Sequence, residues 1–158
     1  MRKLFAGWRI ELIKKGKYKE CFLCELPSQK EDKKNLILKR GKNSFIILNA
    51  YPYSNGHLLI APYKHKDSLN DLEKEVTLEI FIFIKDSVNA LKKTINPDGF
   101  NIGINLGSEV SGAGITGHLH WHIVPRWKGD HNFMPVISDT RVIPEGLQST
   151  YEKLKPEI

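Results

Sequence analysis

Three of the six histidines stand at alternate positions in His118-Leu119-His120-Trp121-His122-Ile123-Val124. In an extended strand, residues two apart point to the same face and lie about 6.5–7 Å apart, so these imidazoles share a face while Leu119, Trp121 and Ile123 enter the opposite layer. A row of rings, each with a donor and an acceptor, is costly to bury unpaired and a poor filling for a core. A single histidine reads as a satisfied structural residue; three alternating ones beside glycine-rich backbone read as a site. A neutral imidazole oriented through its second nitrogen is a competent nucleophile near neutral pH and can attack phosphorus. A neighbouring imidazole can protonate or position the departing phosphate, and backbone amides of the run Gly107, Gly112, Gly114 and Gly117 can bind its anionic oxygens. The chemistry indicated is phosphoryl or nucleotidyl transfer, with His120 in the middle.

A second constellation is Cys21-Phe22-Leu23-Cys24, which holds the only two cysteines. Its two-residue gap lets both thiolates face one ion at about 2.3 Å. A tetrahedral structural zinc site needs two more ligands, and His65 and His118 are the candidates. An inert thiol pair and a redox pair are the alternatives. A redox pair usually opens a helix after a strand at the edge of a βαβ unit, and no such unit is read here.

The elements that must carry these residues follow from periodicity. Residues 36–40 and 45–48 are apolar runs around Gly41-Lys42-Asn43-Ser44, which predicts a hairpin. His57 to Ala61, closed by Pro62, predicts a third strand. From Leu69, the residues Leu72, Val76, Ile80, Ile84, Val88, Leu91 and Ile95 recur every three or four positions as the buried stripe of a long helix, capped by Ser68 or Asn70 and ended by Asn96-Pro97. Phe100 to Asn105 and His118 to Val124 alternate as two more strands. A helix covering one face of a mainly antiparallel sheet is an α+β layer.

At 158 residues and 41% hydrophobic, the sequence suits one domain with its own core, taken as 1–158. The longest apolar run, residues 81–84, is far short of the ~20 residues that span a bilayer. The first residues lack a signal-peptide apolar core, which points to the cytoplasm. A formal charge of +6 favours polyanionic partners. Charge alone does not separate nucleic acid from nucleotide, but the basic residues are dispersed, without a long tail or an interleaved aromatic strip, so they read as solvated surface rather than as a nucleic-acid contact. Arg126, Lys128 and His131 are weaker candidates for phosphate contact, and Trp8 and Trp127 for base stacking.

The string His-Leu-His-Trp-His-Ile-Val resembles the motif of the histidine-triad family. Residues 49–62 (NAYPYSNGHLLIAP), 99–105 (GFNIGIN) and 125–130 (PRWKGD) are similar to the branch containing diadenosine tetraphosphate phosphorylases. The likeness covers most of residues 20–137, leaving an N-terminal helical arm at 1–19 and a C-terminal extension at 138–158. It implies a five-stranded, mainly antiparallel sheet with a long helix and short N- and C-terminal helices. It implies His120 as the nucleophile that carries a nucleotidyl group and His122 as its assistant at the scissile phosphates. Asn49, His57, Asn105, Gly112 and Gly114 would contact substrate, and Cys21, Cys24, His65 and His118 would hold a structural zinc. A homodimer joined through its sheets, acting on dinucleoside polyphosphates with phosphate or water as acceptor, is the implied whole. The related alternatives are a nucleoside phosphoramidate hydrolase, a nucleotidyltransferase or a non-catalytic nucleotide-binding module. The chain departs from many hydrolase relatives just before the triad, where Gly112-Ala113-Gly114-Ile115-Thr116-Gly117 replaces Gln followed by Ser or Thr.

Overall fold

A computed structural model describes residues 21–107, 117–130 and 143–158. In chain order its main elements are α1 (Phe22–Ser28), β1 (Ile37–Arg40), β2 (Ser44–Leu48), β3 (Leu58–Pro62), α2 (Lys74–Ile95), β4 (Gly99–Ile104), β5 (Trp121–Arg126) and α3 (Leu147–Leu154). The strands form one antiparallel sheet in the order β1-β2-β3-β5-β4, so β5 sits between β3 and the edge strand β4. The predicted α+β architecture is the observed one, including a C-terminal helix. The N-terminal arm lies outside the described residues.

Alternation along the strands divides the core into two layers. Leu58, Ile60, Trp121 and Ile123 point into one layer with Val76, Ile80, Phe83 and Leu91 of α2 and with Tyr151 and Leu154 of α3. Phe45, Ile47, Leu59 and Ala61 point the other way, against Leu23 of α1. The triad histidines alternate with Leu119, Trp121 and Ile123 and therefore avoid the α2 layer, as the sequence predicts.

Beyond one-residue shifts at the ends of the first four strands, three features differ from the sequence expectation or add to it, each for a local reason. The long helix starts at Lys74, because Ser68 accepts the amide of Asn70 and caps a separate 3-10 turn, Leu69–Asp71. It ends as expected, with Asn96 left-handed at φ 43°. The histidine strand begins at Trp121, not His118. The register of β3 against β5 places Leu119 opposite Pro62, which has no N–H to give to the ladder. The Leu119 amide instead donates to the carbonyl of Lys66 at 2.7 Å. Finally, the Cys-x-x-Cys segment does open a helix, with Cys21 as N-cap of α1 and Cys24 in its first turn, but no strand of a βαβ unit precedes it among the described residues.

Candidate active site

His118 and His120 lie on the lead into β5 and are 3% and 4% exposed; His122 lies within the strand, half-buried. His122 is flanked by Leu59 of β3 and Gly103 of β4, so its neighbour on the β4 side is a residue without a side chain. The His120 and His122 ring centres are 4.9 Å apart, and His57, at the start of β3 and fully buried, stands 5.1 Å from His122.

Hydrogen bonds fix which nitrogen of each ring carries its proton. His120 Nδ1 is 2.8 Å from the carbonyl oxygen of His118. A carbonyl only accepts, so Nδ1 is the protonated nitrogen and Nε2 keeps the lone pair of the neutral ring. Burial lowers the basicity of His120 and outweighs the opposing effect of that hydrogen bond, which favours the neutral, nucleophilic form. The tautomer of His57 is set in the opposite sense. The backbone N–H of Tyr53 donates to His57 Nδ1 at 3.1 Å, and the Asn49 amide group approaches the same nitrogen at 3.2 Å while its oxygen accepts the Tyr51 N–H. Nε2–H of His57 is then the donor to His122 Nδ1 at 2.9 Å, which leaves the His122 proton on Nε2. The site thus offers a nitrogen lone pair at His120 and an N–H donor at His122.

Cys21, Cys24, His65 and His118 converge with their ligand atoms within 4.8 Å of one another. His118 Nδ1 is 3.2 Å from Cys21 Sγ and 3.4 Å from Cys24 Sγ, and His65 Nδ1 is 3.4 Å from Cys24 Sγ. Tetrahedral zinc with Zn–S near 2.3 Å and Zn–N near 2.0–2.1 Å separates sulfur from nitrogen by roughly 3.5 Å, so the donor set fits the ion. The outer ring nitrogen agrees: His118 Nε2–H donates to the carbonyl of Pro62 at 2.9 Å, turning the Nδ1 lone pair toward the sulfurs. Burial lowers the His118 pKa to about 4, with His65 and His120 adding to the effect and the Pro62 hydrogen bond opposing it. Burial and the neighbouring Cys21 thiol raise Cys24 to about 11. The His118 ring is thus kept neutral, the form that ligates a metal, whereas the Cys24 thiolate is disfavoured until a cation offsets its charge. Gly117 has φ +76°, and a Cβ there would come within 3.3 Å of His65 Nε2, so the turn into His118 requires glycine.

A family model for the HIT domain matches residues 29–129. The chain belongs to the HIT domain family. It is 40% identical over 133 residues to a Mycobacterium tuberculosis protein named AP-4-A phosphorylase, a match covering 84% of this chain and 67% of that one. Among solved structures, a zinc-bound histidine triad family protein from Mycobacterium smegmatis matches with TM-score 0.69 at 22% identity, over 87% of this chain and 92% of that one. A Plasmodium falciparum diadenosine triphosphate hydrolase matches with TM-score 0.59 at 23% identity, over 78% and 74%. At these identities the structural likeness shows the HIT fold.

Of the residues singled out in the sequence, His118, His120, His122, His57, Asn49, His65 and both cysteines fall in one continuous group. Asn105 is the first residue after β4, two beyond the Gly103 that pairs with His122. Gly112, Gly114, His131 and Trp8 lie outside the described residues. Arg126 is an anchor of its own turn: its guanidinium pairs with Asp130 and donates to Asn101 Oδ1 at 2.6 Å. Tyr53 was not legible as a site residue. Its ring lies flat against His122, 12° from parallel at 5.8 Å, and tilted over His57 at 4.6 Å. The one available signal is an aromatic residue in the short Pro52–Gly56 turn just before His57.

Proposed function

We propose that this chain cleaves dinucleoside polyphosphates through a nucleotidyl group carried on His120. The observation that carries the reading is the 2.8 Å hydrogen bond from His120 Nδ1 to the His118 carbonyl, which aims a neutral Nε2 lone pair away from the backbone. In the first step a bond forms between His120 Nε2 and one phosphorus as the P–O bond to the leaving nucleotide breaks. His122 Nε2–H donates to an oxygen of the phosphates as negative charge builds there. In the second step an oxygen of inorganic phosphate or water attacks the same phosphorus and the P–N bond breaks, regenerating neutral His120. The 40% likeness to the protein named AP-4-A phosphorylase favours diadenosine tetraphosphate as substrate and phosphate as acceptor. Asn105, Gly112 and Gly114 complete the proposed substrate site, whereas His57, fully buried with both ring nitrogens engaged by protein groups, supports His122 from behind together with Asn49 rather than touching substrate as expected from the resemblance.

Cys21, Cys24, His65 and His118 are proposed to hold a structural zinc that ties the start of α1 to the end of β3 and to the lead into β5. A homodimer in the cytoplasm, joined through its sheets, completes the reading. Diadenosine tetraphosphate incubated with and without inorganic phosphate tests the reaction by its products. ATP with ADP, formed only when phosphate is present, is the expected result. AMP with ATP at a rate indifferent to phosphate makes water the acceptor, and His120→Ala with wild-type turnover removes the nucleophile claim altogether.

A further inference from the structure

We propose that the C-terminal helix α3 positions the His57–His122 pair through the buried hydrogen bond from Thr150 to Asn55. Helix α3 lies beyond the part of the chain that the HIT domain model matches. It is fixed independently of the site. Leu154 is fully buried in the α2 layer, Tyr151 Oη–H donates to the carbonyl of Ile37 at 3.1 Å, and Lys155 Nζ donates to that of Leu38 at 2.7 Å. Thr150 is thereby held at a defined place, 1% exposed, with its hydroxyl 3.1 Å from Asn55 Oδ1 across a separation of 95 residues. The same hydroxyl lies 3.2 Å from Glu145 Oε2, so its one proton is shared between the two acceptors.

Asn55 stands at the centre of the turn that precedes His57. The His57 N–H donates to the Ser54 carbonyl at 3.2 Å, and Ser54 Oγ–H donates to the Pro125 carbonyl on β5 at 2.6 Å. Gly56 has φ +72° and leaves no room for a side chain, since a Cβ would meet Ile95 at 2.7 Å and Leu91 at 2.9 Å. The turn is therefore braced by β5, by α2 and, through Thr150, by α3. From the same turn the Tyr53 N–H reaches His57 Nδ1 and fixes the proton on Nε2, where it is given to His122. Removing the hydroxyl leaves the buried Asn55 oxygen short of a donor, which favours a shifted turn. A shifted turn loosens the Tyr53 amide from His57, and the ring can then place its proton on either nitrogen. Thr150 is thus a positioning residue acting through Asn55 and His57.

The test uses the whole 158-residue chain, supplied with zinc, with Thr150→Val, which keeps the shape and drops the hydroxyl, and Thr150→Ser, which restores it. The first readout is the 15N resonances of the His57 and His122 rings. The expected result is one fixed tautomer for His57 in wild type and Thr150→Ser, and a mixed tautomer in Thr150→Val. The second readout rests on the reaction proposed above: kcat on diadenosine tetraphosphate falls about three- to tenfold in Thr150→Val while KM stays within about twofold, and Thr150→Ser recovers it. Placed on a His57→Gln background, Thr150→Val then lowers kcat no further. Unchanged His57 resonances in Thr150→Val overturn the proposal, as does a kcat loss that persists undiminished on the His57→Gln background. Inactive wild-type protein overturns the reaction alone, and the ring resonances then decide whether the tether holds. If Thr150→Val does not fold, Asn55→Ala breaks the same bond from the other side and is judged by the same resonances.

Discussion

The carbonyl oxygen of His118 accepts Nδ1–H of His120 at 2.8 Å, while the ring of His118 turns the other way and points its own Nδ1 at Cys21 and Cys24. One residue therefore belongs to both the cysteine cluster and the nucleophile, through different atoms.

The first prediction follows from that link. Stripping the proposed zinc with a strong chelator, or Cys21→Ser, is expected to free the segment at 21–24 from His65 and His118 and to lower Tm by on the order of 10 °C, the scale for losing a structural metal in a domain of this size. The loss of activity falls mainly on kcat, because the His118 carbonyl that orients His120 is no longer held. Metal analysis with thermal melts before and after chelation checks both parts. A Tm indifferent to chelation of protein that contained zinc would remove the clasp.

How much of this was legible in the sequence depends on the range of each interaction. The period-2 histidines announced both their common face and the core face of Leu119, Trp121 and Ile123, since that relation is local to one strand. The cysteine pair announced the convergence of its two sulfurs for the same reason, being local to one turn of α1. The tautomers of His118 and His122 did not show, because they are set by the carbonyl of Pro62, 56 residues from His118, and by His57, 65 residues from His122; that of His120 is set by a carbonyl only two residues away, whose direction the backbone conformation fixes. The late start of β5 followed from a register that only the fold fixes: Pro62 stands where Leu119 would need a donor. The contact of Thr150 with Asn55 spans 95 residues and carries no sequence signal at all.

The second prediction concerns pH. Burial lowers the basicity of His120 below the ordinary histidine value of 6.5, and a protonated ring has no lone pair to give. The acidic fall in kcat/KM is therefore expected below pH 6.5, where an exposed histidine would already be half-protonated. Stability follows the same sign. In chelated protein His118 resists protonation down to about 4 while the unfolded chain takes up that proton near 6.5, so stability is full above about 6.5 and is lost as pH falls toward 4. Initial rates and urea melts across that range check it. An acidic limb at or above pH 6.5 would contradict the burial argument.

The third prediction separates folding from chemistry. Glu79 on α2 accepts the backbone N–H groups of Lys42 at 3.1 Å, Asn43 at 3.0 Å and Ser44 at 2.7 Å, and the Ser44 hydroxyl at 2.6 Å, stapling the β1–β2 turn to the helix. Burial alone would raise its pKa, but the bonds from Ser44, Asn43 and Lys42 together hold it below the usual 4.5. Gly41 makes the staple possible, since a Cβ there would press to 2.6 Å from Phe83. Glu79→Ala leaves three amides and a hydroxyl without their acceptor and costs on the order of 2–3 kcal/mol, or about 5–10 °C in Tm. Turnover per folded molecule is expected to stay at the wild-type value, because none of these groups touches a histidine. Denaturant titration beside a specific-activity measurement distinguishes this from a role in the site.

The fourth prediction tests the proposed dimer. Among the described residues strand β4 stands at the edge of the sheet, and an open edge is a template for pairing with another strand. Ile102 on β4 pairs with Ile123, whose side chain is buried in the α2 layer, so Ile102 emerges on the α2 side of the sheet and is 45% exposed. Leu78, Phe81 and Ile82 are likewise exposed on α2, although they recur at the spacing that elsewhere marks a buried stripe. Apolar side chains on an edge strand and on the helix lying over the same face suit an isologous contact that continues the sheet into a second copy. Sedimentation is expected to give the mass of two chains for wild type. Ile102→Glu and Phe81→Glu each place a charge in that contact, so both should shift the equilibrium toward single chains without lowering Tm measured at high dilution. A wild-type chain that sediments as a monomer at micromolar concentration would sink the dimer and leave these side chains to be covered by something else.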